Sequence, residues 1–296
     1  MTMRNRVQEV RAAGPAFSAA LLQNRLSPRL NRWHLSGLDQ LGRRLVLSLL
    51  SDPAVFKADD LRMQGPVSSR VMLAHMKAGT YEPMSLELFK AALSPGMTVL
   101  DIGANIGFYS LIACRAVGDT GMVYAFEADP RNVAHLDVNA KANSCMNLTV
   151  ITSAVAADPG TMTFRMAERS DFSSLFASME EDMPFVTRTV ETVAIDDVLK
   201  TGEHVDVIKM DIEGGEAAAL RGMTATLGAS RDLTLFVEFE PSALEAAGES
   251  PEDFLDQLKA LFKDIRLVNE RERRLIPLSN ATFGPTQNLI CRLRSD

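Results

Sequence analysis

The stretch VLDIGANIGFYS, Val99 to Ser110, places the tightest limit on how this chain can fold. An apolar, strand-like run reaches Asp101, turns through Gly103 and Gly107, and passes into a helical pattern. A strand ending in Asp-x-Gly, with a second glycine four residues on where a helix begins, lets backbone approach a ligand where any side chain would clash. The remaining turn residues narrow the ligand. A dinucleotide fingerprint starting at Gly103 needs glycine at positions 105 and 108, and these are Asn105 and Phe108. No Gly-Lys-Ser/Thr triplet is present for a nucleotide-triphosphate loop.

From about residue 85 onward, short β-rich runs alternate with helical patterns, the signature of a parallel sheet covered by helices. TVLDIG (98 to 103), MVYAFE (122 to 127), LTVIT (148 to 152), VDVIKMD (205 to 211) and LTLFVEFE (233 to 240) read as strands. Helices are expected over 106 to 117, 130 to 143, 215 to 227 and 251 to 262, with Pro130 suited to a first turn. IRLVNE and NLICRLR read as an antiparallel pair at the sheet edge. Residues 153 to 204 break the rhythm and read as an excursion near the rim, part hairpin and part mobile loop. The first 80 residues are helical in pattern, broken at Pro15, Pro28, Pro53 and Pro66, and form a cap; residues 81 to 296 form the main domain.

Charge separates the same two regions. Residues 1 to 50 hold eight arginines against Glu9 and Asp39, a net +6, so the remaining chain carries −13 of the total −7. The arginine-rich region is a surface for a membrane face, an anionic partner or a second copy of the chain, which would make a homodimer. An isoelectric point near 5.3 weighs against a nucleic-acid partner, which needs a positive footprint at the site. The best N-terminal apolar run, LVLSLL at 45 to 50, is far too short for a membrane span. Three widely separated cysteines, Cys114, Cys145 and Cys291, give neither a disulfide framework nor a CxxC pair, and a cytoplasmic location is expected.

VLDIGANIGFYS, followed one βα unit later by AFEADP, resembles the first motifs of class I, Rossmann-like methyltransferases that use S-adenosylmethionine. VDVIKMDIEGGEAAALRG (205 to 222), GTYEP (79 to 83) and GANIGFYS together resemble the FkbM family of these enzymes, over about residues 79 to 240. The resemblance implies an α/β fold with a mostly parallel seven-stranded sheet and an antiparallel edge strand, joined to the N-terminal helical cap. Its cofactor is S-adenosylmethionine, and its acceptor is a small molecule, with O-methylation of a sugar or other natural-product hydroxyl expected ahead of N-methylation of an amide or amine. A cofactor-binding assembly protein without turnover is the reading from another class.

Position by position, the resemblance implies that Asp101, Gly103, Asn105 and Gly107 form the cofactor turn, with Tyr81 and Glu82 closing over it. Glu127, 26 residues after Asp101, presents two acceptor oxygens that match the ribose diol. Ser153 and Ala154 come near the adenine. Asp211 and Glu213 fall at the carboxyl end of the fourth strand, where open α/β sheets place their reaction site. Asp211 also reads as a helix N-cap and Glu213 as a first-turn charge. A hydroxyl acceptor needs a base, and Asp211, Glu213, Glu238 and His75 are the candidates. The resemblance requires no metal; Asp211 with Glu238 would be placed to hold magnesium if one took part.

Overall fold

In the computed structural model, residues 55–66, 69–167 and 185–293 are described. The arginine-rich stretch, the LVLSLL run and the loop at 168–184 lie outside them. The chain divides into two units, Met1–Tyr81 and Glu82–Asp296.

In the first unit, strands β1 (Val55–Ala58) and β2 (Leu61–Gln64) form an antiparallel hairpin with Ala58 opposite Leu61. This corrects the helical expectation for residues 55–64. Asp59 and Asp60 both adopt left-handed backbone, the two-residue turn whose twist suits a hairpin. Burial alternates strictly, with Phe56, Ala58, Leu61 and Met63 inside, so period two prevails over the helical pattern. Helix α1 (Arg70–Ala78) follows and ends at Gly79 in the left-handed conformation.

The second unit opens with α2 (Pro83–Ala92) and then alternates: β3 (Thr98–Ile102), α3 (Phe108–Val117), β4 (Met122–Phe126), α4 (Pro130–Ala142) and β5 (Leu148–Ile151). The excursion contains β6 (Ala154–Val155), β7 (Gly160–Ala167), β8 (Phe185–Val193) and the short α5 (Ile195–Val198). The expected hairpin is β7 with β8, and β6 adds to it in parallel as a separate three-stranded sheet. The chain then returns through β9 (Val207–Met210), α6 (Glu216–Arg221), α7 (Thr224–Ala229), β10 (Thr234–Phe239), α8 (Pro241–Ala246) and α9 (Pro251–Leu261). It closes with β11 (Phe262–Asn269), β12 (Arg274–Pro277) and β13 (Gln287–Leu293).

The main sheet runs β12-β11-β13-β10-β9-β3-β4-β5. It has eight strands rather than seven, because the charged segment after β11 turns back as β12. β11 and β13 pair antiparallel as the sequence indicates, but β13 is not an edge strand: it is inserted between β10 and β11. The helix expected over 215–227 is two helices. Asp196 of α5 starts the second, accepting the N–H of Ala225 at 2.8 Å and of Thr226 at 2.8 Å.

Strand order reverses at β3, which has β4 and β5 on one side and β9 and β10 on the other. Open α/β sheets bind ligands in the crevice at such a switch point, outside the carboxyl ends of the strands. β9 is buried along its whole length, as parallel strands covered on both faces are, and Leu100, Ile102, Ile208, Met210, Leu235 and Val237 are excluded from solvent. Charged residues share this core: Asp101 on β3, Lys209 opposite it on β9 and Glu238 on β10.

Candidate active site

The turn after β3 is built from left-handed backbone at Gly103, Asn105 and Gly107. The N–H groups of Gly103 and Ala104 both reach the carbonyl of Phe126 at 2.9 Å, which ties the turn to the end of β4. A Cβ on Gly103 would overlap the carbonyl oxygen of Asp211, so the turn also abuts the end of β9. Asp101 sits in the core beside it, accepts the hydroxyl of Ser110, and is pushed up to about 6 by burial.

Glu127 closes the other side. Its Oε2 accepts the N–H of Asn105 at 2.7 Å and its Oε1 the N–H of Asp129 at 2.7 Å. Burial pushes its carboxyl up to about 7 in spite of these two bonds. The Asn132 side chain bonds the same carboxylate, so Glu127 holds the turn through three donors, and a ribose diol would use the acceptor capacity that remains. Ser153 is buried after β5, and Ala154, half-buried, begins β6.

Across the crevice, Asp211, Glu213 and Glu238 bring carboxylate oxygens within 4.8 Å of one another, a set with the donors for a divalent cation. The chain already supplies a positive charge there: Lys209 Nζ lies 3.3 Å from Asp211 Oδ2 and 5.3 Å from the centre of the Tyr109 ring. Burial lowers the Lys209 pKa, but the carboxylates of Asp211, Glu82, Glu238 and Asp101 outweigh it and hold the ammonium charged. Burial, with Asp211, Glu240 and Glu216 near by, pushes Glu213 up to about 9. Burial and Asp211 likewise raise Glu238.

Glu82, in left-handed backbone ahead of α2, accepts the Tyr109 hydroxyl at 2.6 Å and the Asn288 side-chain amide at 2.9 Å. Asn288 stands opposite Glu238 in the β10–β13 ladder. Glu82 is thereby connected to the strand-end cluster. Tyr81 and His75 belong to the other unit, where His75 Nδ1 pairs with the Thr80 hydroxyl at 2.8 Å.

Asp211 does not cap α6, whose N-cap is Gly215 with no side-chain cap bond; the loop before the helix is held by another carboxylate. Glu216, buried, accepts the N–H groups of Ile212 at 3.0 Å and Gly214 at 2.9 Å. This leaves Asp211 to Lys209 and lets Glu213 stand in left-handed backbone at the strand end. Lys209, Glu216, Tyr109 and Asn288 join the site only through the structure. The available signal was Lys209 inside the apolar strand VDVIKMD, since a charge in a buried strand requires a partner.

A family model described as the methyltransferase FkbM domain matches residues 101–269. An arsenite methyltransferase of Halobacterium salinarum is 28% identical over 167 residues, 55% of this chain and 41% of that protein. A hexuronic acid methyltransferase of Haloferax volcanii is 26% identical over 129 residues, 43% of this chain and 50% of that protein. The chain thus spans half the length, or less, of these curated relatives. Among solved structures, a SAM-dependent methyltransferase from Aquifex aeolicus aligns over 71% of this chain and 89% of its own, with 18% identity and a TM-score of 0.40. Among the described residues, no helix is long and apolar enough to cross a membrane.

Proposed function

The chain belongs to the FkbM methyltransferase family, and from that premise we propose that it transfers a methyl group from S-adenosylmethionine to a neutral hydroxyl on a sugar or other small natural-product molecule. The observation that carries this reading is the cluster of Asp211, Glu213 and Glu238 next to the glycine turn. Gly103, Asn105 and Gly107 supply a tight left-handed turn whose backbone borders the cofactor, Glu127 supplies acceptors for the ribose, and Ser153 and Ala154 serve the adenine. When bound, the cofactor supplies an electrophilic methyl on a sulfonium.

The chain's own contribution is orientation and proton removal. An acceptor oxygen would bond to that methyl carbon as its bond to sulfur broke, the electron pair staying on sulfur, so the chain has only the acceptor's proton to remove. The hydroxyl proton passes to Glu213, which accepts it only when ionised; burial and the neighbouring carboxylates raise its pKa to about 9, so transfer should quicken as pH rises toward that value. Asp211, paired with Lys209, and Glu238 flank it. An amine acceptor is the second reading, favoured by the same carboxylates, because an ammonium would be drawn to them and must lose a proton before attack. These acidic strand ends weigh against a polyphosphate acceptor.

The test is incubation of the purified protein with methyl-labelled S-adenosylmethionine and a panel of sugars, amines and RNA. Label on sugar oxygen, falling by ~10²–10⁴ in Glu213→Gln while cofactor affinity holds, is the expected result. Label on amines alone moves the reading to N-methylation. Cofactor binding without transfer to any acceptor moves it to an assembly protein.

A further inference from the structure

Lys209 occupies a position where a covered parallel strand ordinarily carries an aliphatic side chain. It stands in register between Asp101 on β3 and Phe236 on β10, and is 3% exposed. Phe89 of α2 lies edge-on to both Phe236 and Tyr109 on this face of the sheet, and the Tyr109 ring lies under the ammonium. A charge so enclosed is tolerated only with counter-charges in place. Asp211 is in direct contact, and Glu82, Glu238 and Asp101 are near enough to act on it.

Asp211 joins this ammonium to the cofactor turn. Its side chain meets Lys209, and its backbone carbonyl fills the space beside Gly103. A ligand lying along the glycine turn therefore passes the end of β9, and the charge on its sulfur is felt by Asp211, Glu213 and Glu238 together. Lys209 opposes those carboxylates from within the sheet. Coulomb interactions across such short, poorly hydrated distances are strong, so one charge more or less changes how the site ranks a cation against a neutral group.

We propose that Lys209 is the positioning residue of Asp211 and sets the charge at the methyl-transfer end of the cofactor site, so that it governs how strongly a positively charged sulfur is preferred to a neutral one. The substrate carries that charge and the product does not, so Lys209 adjusts the balance between holding substrate and releasing product. The proposal rests on the glycine turn being the cofactor site and is independent of the acceptor's identity.

Two probes separate charge from shape: S-adenosylhomocysteine, with a neutral thioether, and sinefungin, with an ammonium in place of the methylsulfonium. Calorimetry gives both dissociation constants, and the readout is the ratio of the S-adenosylhomocysteine value to the sinefungin value. In Lys209→Met this ratio should rise at least ~10-fold, and in Asp211→Asn fall by a similar factor. The double variant, which removes the pair together, should return to within ~3-fold of the parent. If Lys209→Met alone does not fold, Asp211→Asn against the double variant makes the same comparison. Ratios unchanged in the variants, including the case where both ligands weaken equally as the melting temperature falls, overturn the proposal and leave Lys209 a structural ion pair. A parent protein that binds neither probe removes the cofactor site itself, a failure distinct from unchanged ratios.

Discussion

The backbone carbonyl of Asp211 occupies the place where a side chain on Gly103 would have to be. Two strand ends, β3 and β9, are thereby brought together backbone to backbone, and the residue between them is held at a φ of 85°. Gly103→Ala meets both obstacles, overlap and a conformation that side chains disfavour. The expected cost is about 2 kcal/mol or more, read as a melting temperature lower by about 4–8 °C, with cofactor affinity reduced in the same preparation. A variant that melts with the parent and binds S-adenosylhomocysteine normally would show that the turn can give way there.

Glu127 is expected to act twice. In Glu127→Ala the N–H groups of Asn105 and Asp129 lose their acceptor, and a ribose loses two more hydrogen bonds. Cofactor affinity should fall by about 1.5–3 kcal/mol, the range for hydrogen bonds to a charged group. Calorimetry checks it, and an unchanged dissociation constant removes Glu127 from the ribose.

Glu213 makes the apo protein sensitive to alkali. Burial and the neighbouring carboxylates raise its pKa from 4.5 to about 9, so the folded chain holds this proton more tightly than the unfolded chain does. The stabilisation is fully present below about pH 4.5 and is lost as pH rises toward 9. Glu213→Gln, which resembles the protonated form at every pH, should match the parent near pH 5. It should exceed the parent by at least about 3 °C in melting temperature at pH 9, the shift about 1 kcal/mol produces in a chain of this size. Parallel melting profiles for the two proteins would contradict the raised pKa.

Glu216 stabilises the loop that presents Asp211 and Glu213. Glu216→Ala leaves the N–H groups of Ile212 and Gly214 without their acceptor. Urea unfolding should show a loss of about 1–3 kcal/mol, and Glu216→Gln, which retains one acceptor oxygen, should lose less. An equal loss in both would mean that the charge, not the acceptor geometry, holds the loop.

Much of the main unit was readable before any coordinates, because its signals are local. The glycine turn, Pro130 at the start of α4 and the strand alternation each depend on a few adjacent residues, and β3, β4, β5, β9 and β10 all occur within the expected runs. What was missed depends on residues distant in sequence. The split between α6 and α7 comes from Asp196, about 30 residues earlier, and the eighth strand from pairing beyond the charged turn. The β1–β2 hairpin was hidden for a different reason: strands of four residues, with Lys57 and Arg62 on the open face, carry too short an alternation to outweigh a helical reading. In the site, Asp211 and Glu213, the strand-end residues of the resemblance, lie beside Glu238, a base candidate from the next strand, and Glu216 emerges only once its two N–H donors are located.

The insertion of β13 between β10 and β11 has a temporal meaning. Asn288 is the last of the site's residues to leave the ribosome, and its partner Glu82 precedes it by 206 positions. A growing chain can pair β3 with β4 and β5 long before this, but the strand that braces Glu82 and lines up with Glu238 is translated after the other seven strands of that sheet. Contacts between such distant positions form slowly, since the long intervening loop must first close. A chain cut between β10 and β13 would therefore keep the glycine turn and the acidic strand ends but lack the amide that fastens Glu82.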